Sequence, residues 1–212
     1  MKEIDFAALL CSRLCHDLIS PVSAVSNGIE ILEDEKDAAM REQVMDLIKK
    51  SALQASSAVQ FFRVAFGAGG GFGNEVELGK INDLIENFID SKKINLVWHS
   101  DFESLSINEV KLLLNITLLA SESLVRGGVM DISLTKSEKN TSLQVKIEGE
   151  HIILYPPAKA MLENSQDSET SEPRTAPISL IFSLSDQLQA EVSVQDSEPN
   201  FLLFTGIWPA II

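Results

Sequence analysis

Apolar residues recur at steps of three and four through the first 66 positions. Ile4, Ala7, Cys11, Leu14, Leu18, Val25 and Leu32 share one helical register, with Pro21 and Gly28 in its intervening slots. Leu9, Leu10, Ile19, Val22, Ile29 and Ile31 widen that stripe. The polar run EDEKD (33–37) interrupts it. Met40, Val44, Leu47, Ser51, Ala55, Val59, Phe62 and Phe66 then trace a second helix. The pattern predicts an antiparallel helical hairpin. Its apolar surface exceeds what a single helix–helix seam covers. A second copy is therefore expected, giving a homodimer with a four-helix bundle across a two-fold axis. The competing expectation is that the rest of the chain covers the surplus face.

The pattern changes at GAGGGFG (67–73). Beyond it, 78–91 reads as a helix, 94–100 as an alternating strand and 107–125 as a strongly apolar helix. Residues 129–137 and 141–150 read as paired strands, 162–176 as an acidic mobile loop and 177–189 as a helix. AEVSVQD and NFLLFTGIW close the chain as a hairpin. The predicted class is α+β, a helical hairpin followed by a two-layer α/β sandwich. Its parts are a hairpin over 1–67, a linker over 68–74 and the α/β domain over 75–212.

Composition narrows the function classes. At 212 residues and 45% hydrophobic, the chain has material for a packed core. A net charge of −14 argues against nucleic acid or an anionic membrane as partner. The acidity is uneven: 1–66 carry 7 Lys/Arg against 10 Asp/Glu, and the remainder 10 against 21. An acidic partner is repelled least at the hairpin. Cys11 and Cys15 stand four apart on one helix, a spacing unsuited to a disulfide, so a reducing, cytoplasmic compartment is expected. The N-terminus lacks a signal-peptide pattern, and no apolar run reaches the ~18 residues that span a bilayer.

The chemistry concentrates in LCHDLISP (14–21). His16 lies about 200° round the wheel from Leu14 and Leu18, hence away from the seam. Its outer-stripe neighbours Ser12, Ser20, Ser23 and Asn27 are small and polar, leaving room for a docking protein. An ordinary surface histidine fits the same geometry. A metal site fits poorly, because His16 is turned about 100° from Cys15 and Cys11 sits in the core register. A carboxylate at Asp17 can fix the imidazole tautomer or take a proton from it. Pro21 removes the N–H that would bond the Asp17 carbonyl, so a bend is expected there.

HDLISP resembles the phosphoacceptor box of sensor histidine kinases. LCHDLISPVSAVSNGIEILED with FFRVAFGA (61–68) resembles, more closely, the ChpT family of bacterial histidine phosphotransferases. The resemblance implies a dimeric four-helix bundle plus a histidine-kinase-ATPase-like domain that has lost ATP binding. A kinase N-box reads N-L-x-x-N-A, its second Asn holding Mg²⁺. Here NITLLA (115–120) puts Leu119 in that place, and an apolar side chain offers no oxygen. The D-x-G-x-G stretch is reduced to IEGEHI (147–152). The lid region lacks glycine and is rich in carboxylates, the opposite of a phosphate cradle.

The function thus implied is a phosphotransferase, not an autokinase. His16 relays phosphoryl groups between receiver-domain aspartates through phosphohistidine. Asp17 supports it, and Leu9, Ser12, Arg13, Ser20, Ser23 and Asn27 form the docking stripe. Arg63 takes a structural or domain-packing role. No cofactor or metal is bound by the chain; the receiver supplies Mg²⁺. Partners are receivers of a hybrid histidine kinase and of response regulators. Two alternatives are a non-enzymatic dimerisation scaffold and an active kinase core.

Overall fold

The computed structural model describes residues 3–67, 75–164, 172–196 and 200–210. Helix α1 (Glu3–Asp34) and helix α2 (Ala38–Ala65) form the hairpin. The turn between them is chemically specified. Asp37 caps α2 by accepting from the Met40 amide at 2.8 Å, and Arg41 Nη1 donates to the carbonyls of Leu32 (2.7 Å) and Glu35 (2.8 Å). Those are C-terminal carbonyls of α1 and its turn that have no intrahelical partner. Gly28 sets the close approach of the two helices: a Cβ there would lie 2.6 Å from Ile48 Cγ1.

The predicted single stripe of α1 divides in two. Leu14, Leu18, Pro21, Val25, Gly28 and Leu32 are buried or half-buried, whereas Ile4, Ala7 and Cys11 are exposed. Cys11, placed in the core register, is exposed in the single chain, on the same side of α1 as exposed Ile4, Val22 and Ile29. Besides α2, helix α1 packs on the C-terminal domain at helix α6 (Ala176–Leu188) and the turn before it. The helix is continuous through Pro21. Exposed Ile4, Ile19, Val22 and Ile29 on α1, with Met45, Leu53 and Val59 on α2, leave the hairpin with an uncovered apolar face.

The linker assigned to 68–74 lies outside the described residues. Beyond it come β1 (Glu75–Glu77), α3 (Leu78–Ile89), β2 (Ile94–Ser100), β3 (Ser104–Ser106) and α4 (Ile107–Ser123). Then follow β4 (Gly128–Lys136), β5 (Asn140–Glu148), α5 (Pro156–Asn164), α6, β6 (Glu191–Gln195) and β7 (Phe201–Pro209). A five-stranded sheet runs β2-β4-β5-β7-β6, and β1 pairs separately with β3. The β2–β4 pair is parallel, because α4 carries the chain back across the sheet, and the other pairs of the sheet are antiparallel. Part of the expected acidic loop is structured: 162–164 end α5, and Pro173–Thr175 form a 3₁₀ turn. Residues 165–171 of that loop lie outside the described residues.

Met130, Ile132, Leu134, Leu143, Val145, Ile147, Leu202, Phe204 and Trp208 all point to the helix side of the sheet and are buried. The alternate residues, among them Thr135, Gln144 and Glu148, face solvent, as in a sheet covered on one side. α4 fills the middle of the sandwich. Ser106 and Glu109 form its capping box, and Glu109 also accepts from Trp208 Nε1 at 2.6 Å.

The motif FFRVAF makes the joint between hairpin and domain. Phe61 stacks on Phe88 of α3 with centroids 3.9 Å apart, Phe62 stacks on Phe66 at 5.1 Å, and Phe62 meets Phe88 edge-on at 5.8 Å. Asn115 of α4 locks the same joint, its Nδ2 donating to the Ala65 carbonyl at 3.1 Å. Arg63 is exposed in the last turn of α2, between these buried aromatics.

Candidate functional site

His16 stands on the solvent side of α1, its side chain 81% exposed. Its Nδ1 lies 3.0 Å from Asp17 Oδ1. A carboxylate oxygen only accepts, so the contact is a hydrogen bond when the imidazole hydrogen is on Nδ1. That leaves the Nε2 lone pair as the nucleophile. Ser12, Ser20, Ser23 and Asn27 are exposed beside it, and Leu9 is half-buried.

Arg13 departs from the docking stripe. It is 4% exposed, so it cannot present its guanidinium to a partner. Its Nε donates to Asp17 Oδ2 at 2.8 Å, its Nη2 pairs with Glu122 of α4, and its Nη1 reaches the Arg174 carbonyl at 3.3 Å. One side chain thus ties α1 to α4 and to the turn before α6. The pull of Glu122 and the Arg174 carbonyl turns Arg13 inward, although residues 13 and 16 are less than one helical turn apart. Arg13 and Asp17 are themselves one turn apart, the spacing at which helix side chains meet.

An open groove of about 1220 Å³ runs from His16 between α1 and the C-terminal domain. Sequence reasoning missed its far wall: Lys92, Lys93, Ser121, Arg126, Tyr155 and Arg174. These residues come from four separate segments that only the fold brings together. Lys92 is half-buried, donates to Ser121 Oγ at 2.9 Å and sits 4.3 Å from the Phe88 ring centroid. Burial lowers its pKa to about 8; the Asp17 carboxylate works against that shift and Arg13 with it. Tyr155 donates to Glu172 Oε2 at 2.7 Å, and Arg174 lies over its ring.

The positions that differ from a kinase ATP site are packed, not open. Leu119 is 4% exposed, and the space beside it, lined by Ser123, Leu154 and Ala158, measures about 10 Å³. A small-molecule pocket occupies roughly 300–1,000 Å³. Asn115, the retained first Asn, donates to Ala65 and Lys111 carbonyls. Gly149 serves packing: a Cβ there would stand 2.8 Å from the Gly127 carbonyl oxygen. Cys11 and Cys15 are free and exposed, and the described residues contain no cluster of three or more His, Cys, Asp and Glu able to hold a metal. No helix among the described residues is long and apolar enough to cross a membrane.

The model of the histidine phosphotransferase C-terminal domain matches residues 78–200. Protein phosphotransferase ChpT of Brucella abortus (strain 2308) is 37% identical over 157 residues, which span 74% of this chain and 73% of that protein. A solved structure of a bacterial phosphotransferase superposes with a TM-score of 0.85 at 29% identity, covering 97% of each chain.

Proposed function

The chain belongs to the ChpT-like family of histidine phosphotransferases, and from that membership we propose that His16 is its phosphoacceptor. The observation that carries this reading is the pairing of an exposed imidazole with a carboxylate 3.0 Å from Nδ1; with the ring hydrogen on Nδ1, the Nε2 lone pair is the free nucleophile. Nε2 attacks the phosphorus of a receiver's aspartyl phosphate. The N–P bond forms as the P–O bond breaks, and the receiver aspartate leaves as a carboxylate. The hydrogen stays on Nδ1, so the ring gains positive charge, which Asp17 balances. Transfer to a second receiver reverses these steps.

Such transfer needs in-line placement and charge neutralisation more than covalent chemistry from the protein. The receiver brings Mg²⁺ and its own lysine. The docking surface is the outer stripe of α1, with Ser12, Ser20, Ser23 and Asn27 around His16 and Leu9 at its edge. Arg13 is excluded by its burial. The partners are receivers of a hybrid kinase and of response regulators, engaged through a small, transient interface. The two free thiols of α1 suit a cytoplasmic place.

The chain works as a homodimer in this reading, the uncovered apolar face of α1 and α2 supplying the seam of a four-helix bundle. ATP has no part in it, a view supported by Leu119 and the 10 Å³ space beside it. The deciding experiment presents a ³²P-labelled receiver to wild type and to His16→Ala. Wild type takes up label and passes it to a second receiver. The variant takes up none and remains a dimer by light scattering. Label on the alanine variant sinks the assignment.

A further inference from the structure

We propose that Arg13 and Glu122 are positioning residues for the transfer, through which the C-terminal domain selects the reactive tautomer of His16. The inference rests on His16 being the phosphoacceptor. Its basis is an unbroken chain of contacts. Glu122, on α4, pairs with Arg13 Nη2; Arg13 Nε donates to Asp17 Oδ2 at 2.8 Å; Asp17 Oδ1 faces His16 Nδ1 at 3.0 Å.

Each link removes a freedom. An aspartate next to a histidine on a bare helix surface would choose among rotamers and bond mainly to water. Here both carboxylate oxygens are engaged, one by the buried guanidinium and one by the imidazole. The planar fork of Arg13 is in turn fixed by Glu122 and the Arg174 carbonyl. Free imidazole favours hydrogen on Nε2, which blocks the outward nitrogen. A fixed acceptor at Nδ1 reverses that preference. Stability alone is a weak reason for this arrangement, because a buried ion pair is often no better than apolar packing of the same volume. The charged chain ends on the one group of the cluster that is 81% exposed.

The test uses the full chain labelled with ¹⁵N-histidine, with His16→Ala to assign the resonances. In wild type, neutral His16 is expected to carry its hydrogen on Nδ1. In Glu122→Gln and Arg13→Gln it becomes a mixture of tautomers. The transfer rate at saturating phosphorylated receiver falls about 10- to 100-fold, the scale of a misplaced reacting group. The receiver concentration for half-saturation stays within about twofold, since both side chains are engaged in the ion pair behind His16 and lie off the outer stripe. Arg13→Lys, which keeps the charge and loses the fork, stays slow. Hydrogen on Nε2 in wild type overturns the proposal whether or not any variant folds. So does a slow Glu122→Gln whose tautomer is unchanged, or a Glu122→Gln that matches wild type in both. Failure of wild type to accept label at all would instead remove the phosphoacceptor reading beneath it.

Discussion

Lys92 holds its ammonium in a place that disfavours charge. With a folded-state pKa of about 8 against 10.5 in the unfolded chain, it binds fewer protons when folded across that window. Stability therefore rises with pH between about 8 and 10.5, and the full penalty is present below 8. Lys92→Met, which keeps the stem over Phe88, is expected to raise stability at pH 7 by about 1–3 kcal/mol and to flatten that rise. Urea unfolding at pH 7, 8, 9 and 10 measures both; a less stable variant at pH 7 contradicts it. The place of Lys92 in the groove was invisible in the sequence, because its partner Ser121 is 29 residues away and on another element. Arg13 was misread for the same reason. The wheel puts it near His16, but its direction is decided by Glu122 and by Arg174, 161 residues distant. His16 itself was legible because nothing distant reaches it: periodicity and small neighbours settle an exposed position.

The two helices of the hairpin were legible at the level of elements because they are long enough to repeat their pattern many times. Three-residue β1 and β3 and nine-residue α5 are too short for that, and the strand alternation of β2 carries no sign of its partner's direction. The division of the α1 stripe also escaped, since periodicity marks apolar positions without saying which neighbour takes each. The uncovered share gives a direct prediction. Ile19 is 67% and Val22 52% exposed on α1. Glu at both positions places charge in the proposed seam without entering the core beneath. Sedimentation should show wild type as the proposed dimer and the double variant, at the same concentration, as a folded monomer. An unchanged dimer would move the interface elsewhere. The aromatic joint behaves differently, because Phe61 is fully buried between α2 and α3. Phe61→Ala should cost about 3–5 kcal/mol by urea denaturation, as for other buried aromatics. A loss under 1 kcal/mol would mean that hairpin and domain are not packed through it.

Considered whole, the molecule joins the His16 helix to a domain whose open groove faces that helix and whose interior is filled beside Leu119. Leu119 and its neighbours leave a space of about 10 Å³ beside them, and Asn115 is committed to the hairpin joint. Loss of one ligand is an incomplete explanation for such a site, because an asparagine restored at 119 would still face a filled space. This yields a prediction that separates a missing ligand from a missing cavity. Wild type and Leu119→Asn are each incubated with Mg²⁺ and labelled ATP, and titrated with a fluorescent ATP analogue. Neither is expected to bind the analogue or to label itself. Leu119→Asn should lose about 1–3 kcal/mol of stability, because it buries an amide among Leu154 and Ala158 where a side chain of similar size was apolar. Labelling of the asparagine variant would show that one residue separates this relay from a kinase. A folded variant that is destabilised and still inert places the difference in the packing of the whole α4–α5 layer. The reduced IEGEHI stretch, the glycine-free lid and the volume beside Leu119 all favour the second.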